Sequence, residues 1–433
     1  MTPQSLVYVT APITSGKEPE VRRLLASMNL APGRVRPDNP LFPFAAFDTI
    51  HFARWLVVAD NTLDDALVYG LPRPNHPPDL AFVAEIDGDL HEFFADVAAN
   101  AGPGVAQLFG CCDGFVPGGD LAAWLTAHHV TASAGYVNWL GRTVTRAREE
   151  SALYDAVQGH LQREWPTLGQ ASPPRVHQRL RELVWADMAA GRLRLSPEAP
   201  TPLGWRLRRL AHGVLWPLAL LVLAPVLVPV AVVFVLILRR QEPTDPETCQ
   251  RTDPQHVTGL AEIEDFDVTN SFSIAGGIKP GRVRRWTMAA LLGVVDYAAR
   301  HVYTRGRLAR IRTIHFARWV LLSEKSRGIF FSNYDGSLES YMDDFINKVG
   351  FGLNLSFGQA LGYPRTTWIA FGGASDERKF KEYLRRHQIP TQVWYKAYPG
   401  LTALDLERHG RVRAGLESAS LGGHEASEWV ELL

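Results

Sequence analysis

Residues 49–55 read TIHFARW, and the same seven residues return without change at positions 313–319. An identical match of this length is most unlikely by chance, so we infer that the chain contains two copies of one unit. An Asp-Gly pair follows each heptapeptide, at residues 87–88 and again at residues 335–336. The repeat therefore predicts two halves that share one fold.

Hydrophobic alternation and helical spacing predict the order strand, helix, strand, strand, helix, strand in each half. In the first half the predicted strands are 6–12, 51–58, 80–86 and 105–110, with helices at 18–28 and 90–100. In the second half the predicted strands are 271–278, 315–322, 328–334 and 353–360, with helices at 283–299 and 338–349. A further helix, strand and helix follow in each half, at 120–129, 133–138 and 143–161 and at 376–388, 392–398 and 403–416.

This order is that of a ferredoxin-like unit, an antiparallel sheet with helices on one face. Because the open face of such a sheet must be covered, we predict an α+β fold. Two tandem ferredoxin-like units would face each other and form one pseudo-two-fold α/β barrel, with an apolar membrane segment inserted between them. The predicted domains are ferredoxin-like copy one (1–148), a helical linker (149–210), the membrane segment (211–240), a polar loop (241–265), ferredoxin-like copy two (266–418) and a flexible tail (419–433).

The core of the membrane segment, residues 214–238, contains no charged and no polar side chain. As a straight helix it would be about 38 Å long, more than the roughly 30 Å hydrocarbon core of a bilayer. Basic residues flank both ends, and Pro225 and Pro229 interrupt its middle. Because positive charge marks the cytoplasmic side, we favour a hairpin or in-plane segment that keeps both halves on that side. A single spanning helix is the alternative.

Composition limits the classes of partner. Basic and acidic residues both number 45, so charge gives no reason to expect nucleic acid. Three cysteines are too few for a disulfide framework, and the N-terminus lacks the basic start and apolar core of a signal peptide. We expect membrane lipid as a partner and a hydrophobic small molecule as a candidate ligand, and the oligomeric state stays open.

The repeated strand carries a histidine and an arginine in each half, and the neighbouring strand ends in an aspartate. These residues are His51, Arg54 and Asp87 in the first half and His315, Arg318 and Asp335 in the second. Because a buried arginine is costly unless it is paired, we predict that each arginine pairs with the aspartate of its own half, at the N-cap of the next helix. The alternative is an arginine that binds an anionic ligand or a haem propionate.

The second half is richer in polar and aromatic residues. Ser332, Asn333 and Tyr334 stand where the first half has residues 84–86, AEI. If one half is functional, we expect it to be the second. Its candidate catalytic residues are Arg318, His315, Asp335, Tyr334 and Asn333. The alternative is that the aromatic side chains simply fill a barrel.

Residues 110–114, GCCDG, have the spacing of the GxxDG motif of dye-decolourising-type haem peroxidases, and Pro117 follows. The predicted topology also resembles these proteins, which are tandem members of the dimeric α/β-barrel superfamily. The corresponding residues of the second half, 358–364, contain no aspartate. The chain is similar as well to a bacterial family that carries IHFARW and SNYDGS motifs.

The resemblance implies haem as the cofactor. Its binding residues would be His387, His409, Arg54 and Asp113, with the proximal ligand drawn from His301, His315, His387 and His409. The sequence has no metal-ligand cluster, phosphate loop or Ser-His-Asp signature. We therefore predict a membrane-associated, haem-peroxidase-like oxidoreductase acting on a hydrophobic or lipid-derived substrate. The alternative is a non-catalytic, membrane-anchored barrel that binds an apolar ligand or a partner protein.

Overall fold

The computed structural model describes residues 1–60, 62–247 and 251–433. The strands of the first half are β1 (Gln4–Pro12), β2 (Asn29–Ala31), β3 (Arg34–Val35), β4 (Ile50–Val58), β5 (Asp79–Asp87) and β6 (Ala134–Val137). Its helices are α1 (Glu18–Ser27), α2 (Asp65–Val68), α3 (Leu90–Phe109), α4 (Leu121–Ala127) and α5 (Val144–Leu168). The halves are connected through α6 (Pro173–Ala189), α7 (Leu203–Gln241) and α8 (Pro254–Ala261).

The second half repeats the order of the main strands and of the long helices. Its strands are β7 (Thr269–Gly277), β8 (Ile314–Leu322), β9 (Arg327–Asp335), β10 (Thr366–Thr367), β11 (Phe371–Gly372) and β12 (Val393–Lys396). Its helices are α9 (Arg282–His301), α10 (Leu338–Phe357), α11 (Glu377–His387), α12 (Ala403–Glu417) and α13 (Gly423–Val430). The strands predicted from the two heptapeptides are confirmed as β4 and β8.

The fold is α+β, with two four-stranded antiparallel sheets among the described residues. One sheet has the order β1-β5-β4-β12, and the other has the corresponding order β7-β9-β8-β6. The edge strands are exchanged, because β6 of the first half pairs with β8 and β12 of the second half pairs with β4. Each copy of the heptapeptide therefore receives its outer neighbour from the other half.

Each exchanged strand also contacts the sheet of its own half. Just before β6, Val130 N donates to Tyr8 O in β1 at 2.8 Å. Just before β12, Ile389 N donates to Ser273 O in β7 at the same distance. These two segments therefore connect the sheets at corresponding places.

The two sheets also pack face to face. Leu56 and Val83 of the first sheet share one buried apolar cluster with Val320 and Phe331 of the second. Side chains on a strand alternate, so Trp55, next to Leu56, belongs to a different cluster on the helix-covered face. Each sheet thus has one face against its helices and one face against the other sheet.

The predicted strands 105–110 and 353–360 are wrong. Both segments are the C-terminal parts of long helices, α3 and α10. Val105, Leu108 and Phe109 are buried at helical spacing, and an apolar run this short is compatible with either a strand or a helix. Each sheet receives its fourth strand from later in the chain instead, β6 after α4 and β12 after α11.

The predicted hairpin in the membrane segment is also wrong. α7 is one continuous helix of 39 residues, and Pro217, Pro225 and Pro229 lie inside it. A proline removes one backbone donor, which an apolar helix tolerates by local adjustment. By length and composition, this helix is long and apolar enough to cross a membrane. None of its most apolar part is buried inside the protein.

Two of the predicted connecting regions contain more structure than expected. Residues 419–433, predicted to be a flexible tail, form α13, whose Trp429 is buried and donates to Val412 O at 3.1 Å. The predicted polar loop 241–265 contains α8, and its residues 248–250, with Cys249, lie outside the described part. The C-terminal helices and α6 share one apolar cluster with α5.

Gly104 shows how tightly α3 is packed after Pro103. A Cβ at Gly104 would overlap the backbone of Leu41, whereas a Cβ at Gly102 would meet Leu121 Cδ2 at 4.0 Å. We expect Gly104→Ala to destabilise the protein by about 1–3 kcal/mol. The matched control Gly102→Ala should be neutral or stabilising by up to about 1 kcal/mol. Urea unfolding in detergent measures both, and equal effects would contradict this packing.

Candidate functional site

Arg54 is fully buried where the two sheets face each other. Its guanidinium donates to the backbone oxygens of Phe272 and Ser332, each at 3.1 Å, and to Asn333 Oδ1. A fourth acceptor is Ser273 Oγ at 3.1 Å, and all four belong to the second half. Burial lowers the pKa of Arg54 to about 10, and the nearby Glu85 carboxylate opposes that shift. Arg54 therefore remains charged at neutral pH.

Arg318 makes the reciprocal contacts in the first half. Its guanidinium donates to Ala84 O at 2.9 Å, to Val7 O and to the Glu85 carboxylate. Burial lowers the pKa of Arg318, and Glu85 again opposes the shift. Asn333 Nδ2 donates to Glu85 Oε2 at 3.0 Å. A continuous polar chain therefore crosses the interface from one arginine to the other.

The predicted pairing of the two buried arginines with Asp87 and Asp335 is wrong. The acidic partner is Glu85, which sequence reasoning missed although it is the one charged residue within strand residues 80–86. Asn333 occupies the equivalent position of the second half. Glu85 therefore binds Arg318, and Asn333 connects Arg54 to the same carboxylate. Among the described residues, Arg54 Nε is left without a hydrogen-bond partner.

Asp87 and Asp335 pair with the histidines of the repeat. His51 Nε2 lies 3.0 Å from Asp87 Oδ1, and His315 Nε2 lies 2.6 Å from Asp335 Oδ1. The strand register shifts at each histidine, and such a bulge redirects a side chain. Because a carboxylate accepts hydrogen bonds, Nε2 of each imidazole donates, and Nδ1 is left for a second partner.

Each aspartate is also bound to a helix start. Asp87 Oδ2 accepts from Val144 N at 2.8 Å, and Asp335 Oδ2 accepts from Ala403 N at 2.7 Å. The N-terminus of a helix favours a negative charge, so α5 and α12 stabilise the two carboxylates. The prediction that Asp87 and Asp335 cap the next helix is wrong, because the N-cap residues of α3 and α10 are Asp89 and Ser337.

The histidines of both pairs, His51 and His315, line one cavity of about 30 Å³, room for about two water molecules. The Tyr398 hydroxyl lies 2.9 Å from His51 Nδ1. Burial raises the pKa of Tyr398 well above its usual value of 10, so the phenol keeps its proton and donates it to this hydrogen bond. Trp139 of the first half corresponds to Tyr398 in the repeat and lines the same cavity.

The cavity has limited chemical capacity. Tyr398, His51 and Asp87 form a hydrogen-bonded series that can hold or relay a proton. Among the described residues, His315 Nδ1 has no hydrogen-bond partner, so it can bind water in the cavity. The volume leaves no room for a larger substrate. Tyr398 follows the exchanged strand β12; the sequence shows it as one of the aromatic residues of the second half but does not select it for the site.

The five predicted catalytic residues do not form one site. His315 lines the cavity and Asp335 is hydrogen-bonded to it, while Arg318 and Asn333 belong to the network between the sheets. Tyr334 lies on the helix side of its sheet, where its ring stacks on Tyr341 of α10 with centroids 4.2 Å apart. Burial raises the pKa of Tyr334 far above its usual value.

The residues predicted to bind haem are dispersed. Buried His387 is hydrogen-bonded through Nδ1 to Tyr383 O at 2.8 Å, and its Nε2 lies 3.5 Å from Asp65 Oδ2. His409 of α12 stacks on Tyr154 with centroids 4.3 Å apart. Asp113 is exposed and accepts a hydrogen bond from the Thr14 hydroxyl at 2.6 Å. Arg54 belongs to the network between the two sheets.

These residues do not fit a haem. A ligand of that size needs a pocket on the order of 300–1,000 Å³, and the cavity beside His51 and His315 has about 30 Å³. His387 packs directly against the backbone of Gly276, where even a Cβ would come within 2.8 Å of its ring. His301, the remaining proximal candidate, is hydrogen-bonded to His212 at 2.8 Å.

Comparison with protein-family models, with curated proteins and with solved structures finds no match to this chain. Its own residues are therefore the basis for the function proposed below.

The Arg318 network can be tested by substitution. Arg318→Ala leaves the Glu85 carboxylate buried without its charged partner, so we expect a loss of about 3–5 kcal/mol in the free energy of unfolding. The control is Arg312→Ala, because Arg312 pairs with Glu407 while its side chain is 56% exposed. Exposed pairs contribute about 0–1 kcal/mol. Similar losses in both variants would contradict a desolvated network.

His409 predicts a dependence of stability on pH. Burial lowers its pKa in the folded state, so stability from the neutral ring is present above the unfolded pKa of about 6.5 and is lost as pH falls below it. We expect His409→Phe, which keeps the stacking on Tyr154, to lose less stability than the native chain between about pH 7.5 and about pH 5.5.

The control for this measurement is His424→Phe, since the His424 side chain is 85% exposed. Its urea-unfolding curves should shift with pH as those of the native chain do. If His409→Phe also follows the native chain, His409 does not titrate with a lowered pKa.

Proposed function

We propose that this chain is a membrane-attached, non-catalytic binding protein, built as one pseudo-two-fold α/β barrel from two ferredoxin-like units. The observation that carries the proposal is the contrast between a filled interior and an exposed apolar helix. The space between the sheets is filled by the arginine network and apolar side chains, whereas α7 presents its apolar surface to the outside. The binding surface is therefore expected on the exterior.

The barrel arrangement is supported by the corresponding sheet orders and by the two exchanged strands. Residues 128–137 bond to β1 and then to β8, and residues 388–396 bond to β7 and then to β4. Two such connections at opposite edges are what a closed barrel of two units requires.

The non-catalytic role is supported by the contents of the cavity. The His–Asp pairs tie the strand ends to helix starts and leave room for about two waters. A haem-peroxidase-like oxidoreductase acting on a lipid-derived substrate is the competing proposal, and it rests on the resemblance of the predicted topology and of residues 110–114 to that class of protein.

One purified sample tests both proposals. We expect the protein extracted in detergent to show no Soret band, and to gain none that survives gel filtration after incubation with haemin. We also expect it to float with vesicles of phosphatidylcholine and phosphatidylglycerol in a density gradient. A retained Soret band that disappears in His387→Ala or His409→Ala would favour the oxidoreductase.

The control variant replaces residues 214–236 with a Gly/Ser linker of equal length and keeps Leu238, which is buried. It should retain the circular dichroism and unfolding behaviour of the two sheets, and it should no longer float. A variant that floats as well as the native chain would contradict the membrane role of α7.

A further inference from the structure

The start of the apolar part of α7 is fixed to the second half. His212 Nδ1 and His301 Nε2 are 2.8 Å apart, and their rings stack with centroids separated by 5.1 Å. One residue later, the Tyr297 hydroxyl donates to Gly213 O at 3.1 Å. Both partners belong to the last turns of α9. The helix therefore begins its apolar part while still in contact with the folded body.

The C-terminal end of α7 is fixed more strongly. Glu242, 1% exposed, accepts from Thr366 Oγ1 at 2.9 Å, from Trp368 N at 2.8 Å and from Ile369 N at 2.6 Å. Trp368 and Ile369 have φ values of 53° and 55°. Successive N–H groups in such a left-handed turn form a concave anion site, and here the anion is the carboxylate that ends the helix.

A buried ion network continues from this end. Asp245 lies 3.0 Å from Lys279 Nζ and 2.6 Å from an Arg284 nitrogen, and all three residues are buried. Arg284 lies in the first turn of α9, the helix whose last turns hold the other end of α7. The same helix α9 therefore contacts both anchors, and its buried Met288 and Leu292 pack into the core of the second half.

This double anchoring bears on the membrane geometry. Between Gly213 and Leu238 the helix is about 38 Å long, and a spanning helix would put those ends on opposite sides of a hydrocarbon core of roughly 30 Å. One rigid body cannot lie on both sides unless α9 and its sheet also enter the bilayer. We infer that α7 lies in the plane of the membrane, submerged in one leaflet, with both halves on the same side.

The surface around α7 is suited to lipid headgroups. Exposed aromatic side chains are Trp216 on α7 itself, Trp286 on the neighbouring α9, and Trp368, whose ring contacts Arg239 near the C-terminal end of α7. Aromatic rings of this kind favour the interface between water and hydrocarbon. Exposed basic residues flank the apolar part of the helix at Arg206, Arg208 and Arg240, and Arg282 begins α9. The occupant of this surface is thus a bilayer with anionic headgroups.

The inference rests on the proposed membrane attachment, and the experiment separates the two. Spin labels are placed one at a time at Leu215, Val222 and Val232 of the full chain, with the three native cysteines replaced by alanine. All three positions are more than half exposed. The protein is bound to vesicles of equal parts phosphatidylcholine and phosphatidylglycerol, and label depth is measured from accessibility to oxygen and to a water-soluble nickel complex.

We expect the three labels to report one common depth within a single leaflet. Cysteines placed at Arg206 and Arg240 should react with an impermeant maleimide from the same side of sealed vesicles. A depth maximum at Val222 with opposite-side labelling would establish a spanning helix and overturn the inference. Labels that are immobile yet inaccessible to lipid would indicate a second copy as the occupant, which also overturns it. Failure to bind vesicles at all would overturn the proposed attachment itself.

A substitution at one anchor adds a second readout. Glu242→Ala should release the C-terminal end of α7, so the label at Val232 becomes more mobile while the label at Leu215 keeps its mobility. The matched control is Glu247→Ala, because Glu247 is 40% exposed in its ion pairs with Lys379 and Arg365. Unchanged mobility at Val232 in Glu242→Ala would contradict the double anchoring.

Discussion

Two arginines buried between two sheets impose the constraint on which the rest of the structure depends. A guanidinium removed from water is costly unless its donors are satisfied, and the acceptors of Arg54 and Arg318 are backbone oxygens, Glu85 and Asn333 on the opposite sheet. The acceptors come within hydrogen-bonding distance of the guanidinium groups in one relative position of the two sheets. The network therefore fixes how the halves meet, and the exchanged strands β6 and β12 hold the same position from the edges.

Local patterns in the sequence predict much of this fold. The side-chain alternation of residues 50–58 and 314–322, for example, depends only on residues adjacent in the chain. The partner of a strand is a long-range property, and nothing in residues 134–137 indicates that they join the sheet of the other half. The segment 105–110 was predicted as a strand for a related reason: a short apolar run carries too few residues to distinguish the two periods. Gly104, which must lie against Leu41, becomes interpretable once the helix is placed.

The candidate site follows the same division. Sequence reasoning selected the right residue types, because histidine, arginine and aspartate recur in both halves, but it exchanged their partners. Strand alternation predicts that His51 and Arg54 point to opposite faces, and the register shift at the histidine redirects its side chain toward Asp87. A bulge of this kind leaves no mark in the sequence. The small cavity between the halves is likewise lined by Tyr398 and Trp139. The repeat shows that these residues occupy equivalent positions, but it does not show that they are close in space.

The exchange of strands also has a consequence for synthesis on the ribosome. β12 is made about 340 residues after β4, and at about 5–20 residues per second this separation is roughly 20–70 s. Through that interval the nascent first sheet has an open edge, whose free N–H and C=O groups can recruit other chains into aggregates. α7 leaves the ribosome within the same interval. On the proposed attachment, α7 holds the unfinished first half at a lipid surface. When the second half emerges from the ribosome, it is then the nearest source of the missing strand β12.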